Sequence, residues 1–206
     1  MKSLRRGLGP AAPASPAVGF ARKEVRFVRV LKRFLNFIAS RMFFLTVISA
    51  LLIISFYLAM NTANIWVLID DGLTARASVV LMGTDSSDLS KYFKQEFINQ
   101  DPILQVGLSD TSPYKDYEIR GFDHRVRMVS VWSWPWENVA RAEIIESIPA
   151  IDGTIRASRR EAALAAGGEE RLSPPAWATS RYRVTLTRTA GRWMISNLQL
   201  IEQMEE

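Results

Sequence analysis

Few side chains in this 206-residue chain have the types and spacing that chemistry needs. The single histidine, His124, follows Asp123, and such a pair is the usual equipment for moving a proton. Adjacent residues on a strand point to opposite faces, however, so the two cannot serve one pocket from a strand. A solvated loop pair is the better account of them. One histidine builds a zinc site only if several carboxylates converge on it, and the absence of cysteine excludes thiolate ligation and disulfides. Asp70-Asp71, just before Gly72, read as the cap of a helix rather than as metal ligands, and Asp85 and Asp88 read as caps of the next helix. A Gly-rich phosphate loop, an HExxH and a Ser-His-Asp order are all missing. No residue is therefore assigned a catalytic, cofactor-binding or metal-binding role, and no cofactor is expected.

The other conspicuous group is aromatic. Trp132, Trp134 and Trp136 are half of the six tryptophans, and on a strand that spacing faces all three one way. A core face is favoured, because three buried indoles would stabilise a small domain greatly. The alternatives are a pocket lining or partner interface, and contact with a membrane. The last is disfavoured by the seventy or so residues that separate the ladder from the apolar run described next. Pro135 bends the chain between Trp134 and Trp136, because proline cannot donate to a central ladder.

The elements that must position these groups follow from charge and hydropathy. Residues 1–41 carry ten Lys or Arg against one acid, Glu24, a net +9. Residues 61–206 carry sixteen basic and twenty acidic residues, a net −4. The overall +5 is thus a property of the N-terminus, and nucleic-acid binding is not expected. Between the two lies MFFLTVISALLIISFYLAM, Met42 to Met60, uncharged and with only Thr46, Ser49 and Ser55 polar. As a helix it spans about 28 Å, close to the hydrocarbon thickness of a bilayer. A buried core helix would show a polar face, and this segment has none. A cleaved signal would need an unusually long basic region and a clear A-x-A site after the apolar run. The segment reads as an uncleaved transmembrane anchor. Only Arg76 lies in the twenty or so residues beyond it, so the positive-inside rule puts the N-terminus in the cytoplasm and residues 61–206 outside.

Residues 1–21, rich in Pro, Ala, Gly and Ser, read as a disordered cytoplasmic tail. Residues 22–41 read as a basic amphipathic juxtamembrane helix, with Val28, Leu31, Leu35 and Ile38 on one side and Arg26, Arg29, Lys32 and Arg33 as candidate lipid contacts. Beyond the anchor, a short helix from about Thr74 to Met82 is stopped by Gly83. A second helix carries Leu89, Tyr92, Phe93 and Phe97 and ends at Asp101-Pro102. From Tyr117 the period becomes two, with strands over 117–122, 126–136 and 138–148. A break over 152–180 contains one helical turn near 159–166. Two closing strands flank Thr189-Ala190-Gly191-Arg192, placing Trp193 in the core and Arg181, Arg183 and Arg188 in a candidate partner-facing row.

Helices first and antiparallel strands after give an α+β domain with segregated elements. The order, and the closing hairpin RYRVTLTRTAGRWMISNLQLIE with Gly191, Trp193 and Ile195 opening its last strand, resembles the nuclear transport factor 2-like superfamily. The resemblance implies a cone over residues 61–206, its N-terminal helices packed on a curved sheet. A short basic tail, one span and such a domain is also similar in layout to the inner-membrane scaffold subunits of type IV secretion and conjugation machines. That resemblance implies a non-catalytic, single-pass cell-membrane scaffold whose partners are the bilayer, other membrane or envelope proteins and further copies of itself in a homo-oligomer. The alternatives are a membrane-tethered small-molecule-binding or enzymatic cone, and a lipid-sensing regulatory anchor. Orientation has a direct check: alkaline phosphatase fused after Glu206 is expected to be active when the chain is expressed, and activity only of a cytoplasmic reporter at that position reverses the assignment.

Overall fold

The computed structural model describes residues 18–204, with side chains from residue 31 onward, so the expectations for residues 1–17 and for the side chains of Arg26 and Arg29 lie outside the described residues. The chain divides into two compact units, Met1–Ile53 and Ile54–Glu206. Helix α1 runs from Val18 to Met82 as one element of 65 residues. It is long and apolar enough to cross a membrane, and the apolar side chains of the 42–60 run, such as Phe43, Leu52 and Phe56, are exposed.

The expected break between the apolar run and a new helix at Thr74 does not occur. Asp70 and Asp71 sit inside α1 and cap nothing. Gly72 does not stop the helix either. Its bare Cα faces the second unit's core, where an added Cβ would meet Tyr92 Cβ at 3.1 Å and Ile195 Cδ1 at 3.2 Å. The stop comes at Gly83, whose φ of 65° is open to glycine and whose N–H donates to the Val79 carbonyl at 3.1 Å.

Asp85 is a cap as expected, accepting from the Ser87 N–H at 3.0 Å at the head of a 3₁₀ turn, Ser86–Lys91. The expected second helix is split between this turn and α2, Gln95–Ile98. The cause is tertiary: Phe93 bridges Ile195 of the last strand, with Lys94 N–H to Ile195 O at 2.9 Å and Ile195 N–H to Tyr92 O at 2.8 Å. Those backbone groups are spent on the sheet and cannot continue a helix. Asp101-Pro102 starts a helix instead of ending one. Asp101 caps α3, Pro102–Gly107, accepting from the Ile103 N–H at 3.0 Å, and proline suits the first turn, where its missing N–H costs nothing.

Four antiparallel strands follow in the order β1-β2-β3-β4: Tyr117–Ser133, Val139–Ile155, Trp177–Thr189 and Arg192–Gln203. The two strands expected over 117–136 are one, kept paired with β2 through register shifts at Ile119/Gly121, Asp123/Arg125 and Met128/Ser130. Such bulges bend a strand and raise its twist. The β2–β3 connection contains α4, Arg160–Gly167. Alternation decides the faces: Ala140, Ala142, Ile144 and Ile148 of β2 and Tyr182, Val184 and Leu186 of β3 are buried, while Arg141, Arg183 and their neighbours face outward. The buried set packs with Ile65, Ile69, Leu73, Ala77 and Val80 of α1, spaced at helical intervals, and with Leu89, Phe93 and Leu104. The protein is therefore α+β, a long apolar N-terminal helix followed by a four-stranded antiparallel sheet. Trp193 is half-buried at the edge of this core and not enclosed in it.

Ile144 lies at the centre of the sheet with no exposed surface. Ile144→Ala is expected to destabilise the second unit by about 2–5 kcal/mol through lost burial and the cavity left behind. Chemical denaturation of the full chain in detergent measures this, and an unshifted midpoint contradicts the packing.

Candidate functional site

Ionisable groups inside a protein need partners, and here four elements supply them to one another. Glu146 occupies an inward position of β2 between Ile144 and Ile148 and is fully buried. Arg76 lies on the sheet-facing side of α1 and is 1% exposed, and Asp101, the cap of α3, is 3% exposed. Arg76 donates to Asp101 twice, Nε to Oδ2 at 2.5 Å and Nη2 to Oδ1 at 3.1 Å, the planar fork that arginine makes with a carboxylate. Arg76 Nη1 then faces Glu146 Oε2 at 3.9 Å, a charge contact without a hydrogen bond. The other Glu146 oxygen is 3.1 Å from His124 Nε2, and His124 Nδ1 is 2.9 Å from the Thr74 hydroxyl. The two ring nitrogens thus each have a polar partner, one a carboxylate oxygen and one a hydroxyl that can donate or accept. Tyr182 stands against the same charges. Its burial and the nearby Glu146 push its phenol above the ordinary value, although Arg76 pulls the other way.

His124 corrects the sequence reading. It belongs to β1 and not to a loop, and its side chain is 4% exposed. Asp123 does point to the opposite, outer face, where it accepts from Arg125 Nη2 at 2.6 Å, so the two are not a working pair. Glu146 was missed. Its signal was present as the one charge on the inward positions of an otherwise apolar alternation. The arrangement has the parts of a histidine–carboxylate dyad but no opening. The cavity of about 350 Å³ beside Met82 and Tyr117 and that of about 380 Å³ between α3 and β3–β4 are lined by neither Arg76, His124 nor Glu146. Among the described residues no three His, Asp or Glu side chains converge in a way that would hold a metal ion.

The tryptophans are the second correction. A core face is overturned: Trp132, Trp134 and Trp136 are 63%, 39% and 71% exposed. Pairing ends at Ser133, so only Trp132 lies on the strand, on the outer face opposite Arg141, while Trp134 and Trp136 belong to the β1–β2 turn. They rest on each other instead. Trp132 and Trp134 stack at 5.9 Å with planes 14° apart, and Trp134 meets Trp136 at 5.4 Å.

Beneath this cluster runs a second polar chain. Buried Asn61 of α1 donates to Ser133 Oγ at 2.6 Å and accepts from Trp193 Nε1 at 2.7 Å and Arg188 Nη2 at 3.2 Å. Arg188 also donates to the Tyr57 hydroxyl at 3.1 Å and lies 4.4 Å over the Trp193 ring, and Tyr57 reaches the Pro135 carbonyl at 3.4 Å. Arg188 thus leaves the outward row expected for it, because an even position on β3 faces α1. Arg181 and Arg183 remain outward and clasp Glu143 at 2.9 and 3.2 Å, and their hydrogen bonds hold its carboxyl below the usual range. Lys32 and Arg33 are exposed on α1.

The chain matches no protein-family model, no curated protein and no solved structure.

Asp101→Asn keeps the shape of the cap but removes the charge that compensates Arg76. Breaking a buried pair in this way is expected to cost about 3–5 kcal/mol. Thermal denaturation of the variant beside the wild-type chain reads the loss, and equal stability would mean that Arg76 finds its compensation elsewhere.

Proposed function

We propose that the chain is a membrane-anchored, non-catalytic assembly component of an envelope secretion or conjugation complex, with residues 61–206 outside the cytoplasm. The observation that carries this reading is the closure of the interior. The groups with the chemistry for catalysis, His124, Glu146, Arg76 and Asp101, are sealed within the second unit and engaged with one another. A site that acts on a substrate needs converging groups in an open cleft. The surface left for recognition is the outer face of the sheet, where Arg125, Arg127, Arg141, Glu143, Arg181 and Arg183 stand in register. A bent sheet covered on one face by α1, α2 and α3 also agrees with the cone-like arrangement of the nuclear transport factor 2-like superfamily, and the apolar run with the basic residues before it agrees with a single-pass anchor whose N-terminus is cytoplasmic.

One observation favours a second reading. The cavity between α3 and β3–β4, lined by Ile103, Val106, Tyr114, Trp177 and Leu200, has the apolar character of a small-molecule site. A tethered binding cone is the alternative function.

Complementation of a strain lacking this chain separates the two. Arg127→Glu combined with Arg183→Glu is expected to reduce secretion or transfer at least about tenfold while the chain stays folded and abundant, since like-charge juxtaposition at an interface costs several kcal/mol. Asp123→Asn is expected to leave the process unchanged. Loss of function from Val106→Trp, which fills the cavity, in a folded, assembled chain moves the assignment to the tethered binding cone.

A further inference from the structure

The β1–β2 hairpin tip presents three indoles to solvent beside the turn of α1 on which the apolar run ends. We propose that this tip is a second membrane contact, in which Trp132, Trp134 and Trp136 lie in the interfacial layer of the bilayer that the 42–60 run enters. The proposal rests on the anchor half of the function proposed above and not on the secretion or conjugation role.

The reasoning begins with position. The contact that fixes the tip is Tyr57 to Pro135, and Pro135 lies between Trp134 and Trp136. Tyr57 is three residues before the end of the apolar run at Met60, and Asn61, the first polar residue after it, is tied to Ser133 at the end of β1. Separations of 78 and 72 residues in sequence therefore close to hydrogen-bond distance. Phe56 and Met60, on the same turns of α1, are exposed and apolar, as lipid-facing residues would be. The hairpin tip thus sits at the height where the helix passes from hydrocarbon to headgroups.

Chemistry is the second strand. An indole carries a large apolar body and one N–H donor, and tryptophan concentrates at the membrane–water boundary for that reason. Three of them stacked in water leave apolar surface uncovered, which soluble proteins avoid. Elsewhere the outer face of the sheet carries Arg125, Arg127, Arg141, Glu143, Arg181 and Arg183, and its exposed apolar side chains, such as Val129 and Ile201, stand singly, whereas the three indoles at this end form one stacked group. The β3–β4 turn lies at the same end, since Val139 pairs with Thr187 and Thr189 with Arg192, and Arg192 there is exposed and suited to a lipid phosphate. The connection with α4 occupies the opposite end of the sheet.

The absence of cysteine makes the test direct. The full chain is reconstituted in vesicles of phosphatidylcholine and phosphatidylglycerol as four single-cysteine variants, Trp134→Cys, Trp136→Cys, Ser49→Cys and Glu169→Cys, each carrying a nitroxide. Collision with oxygen and with a water-soluble nickel chelate is then measured. Labels at 134 and 136 are expected to favour oxygen at least about fivefold more than the label at 169, with depths near the phosphates, as interfacial residues do. Labels at 134 and 136 that behave as the one at 169 overturn the inference, including the case in which the patch serves a protein partner. The label at 49 distinguishes the two failures. If it lies in hydrocarbon while 134 and 136 are aqueous, only the second contact is lost; if it too is aqueous, the anchor reading fails with it. Using both 134 and 136 guards against a single substitution that disturbs the stack.

Discussion

The second unit depends on the burial of one charge. Arg76 sits on the face of α1 that must meet the sheet, and an arginine cannot enter a low-dielectric interior alone. Asp101 answers it with a forked pair, and that fixes where α3 begins. Glu146 faces it from β2, and His124 and Thr74 occupy the other end of that carboxylate. Three secondary-structure elements and the helix are thereby held in one relative position by groups with preferred directions, which apolar packing alone does not impose. The cost is visible too: Arg76 Nη1 and Glu146 Oε2 have no hydrogen bond and only each other's charge at 3.9 Å. Exchange of the whole set for apolar residues of similar volume would be tolerated better than removal of any one member.

Asn61 performs a similar task at the other end of the contact between α1 and the sheet, with neutral groups. Its amide joins β1 through Ser133 and β4 through Trp193, and it shares Arg188 with Tyr57. An amide presents both donors and an acceptor, so one side chain satisfies partners on two strands. Together with the Arg76 group it fixes the helix at two places about four turns apart, which sets both its rotation and its register along the sheet.

Much of this was legible because it is local. Alternation in 138–148 and 181–187 assigned the faces of β2 and β3, Arg188 excepted, and Gly83 marked the end of α1. What was illegible depended on partners distant in sequence. Asp70-Asp71-Gly72 has the composition of a helix start, yet Gly72 is small because Tyr92 and Ile195 approach it. Residues 89–97 have a helical period, yet the bridge from Phe93 to Ile195 claims their backbone. Glu146 interrupts an apolar face, and the partner that explains it, Arg76, lies far from it in sequence on α1. The tryptophans followed a strand period past the point where the strand ends, and nothing local placed that point at Ser133. His124, expected in a solvated loop beside Asp123, is instead buried on β1, where Glu146 and Thr74, distant in sequence, receive its ring.

The bridge between Phe93 and Ile195 also has a consequence for the order in which the chain is made. Arg76 and the apolar face of α1 emerge first, and Ile195, which covers Gly72 and claims the backbone at Tyr92 and Lys94, is made some 120 residues later. At synthesis rates of roughly 5–20 residues per second, that interval is on the order of ten seconds. Asp101, the forked partner of Arg76, follows it closely, but for that time the apolar face of α1 at Gly72 lacks the strand that covers it. Transiently exposed apolar surface of this kind is prone to aggregation, so shielding of the nascent chain until its last strand arrives favours the native pairing.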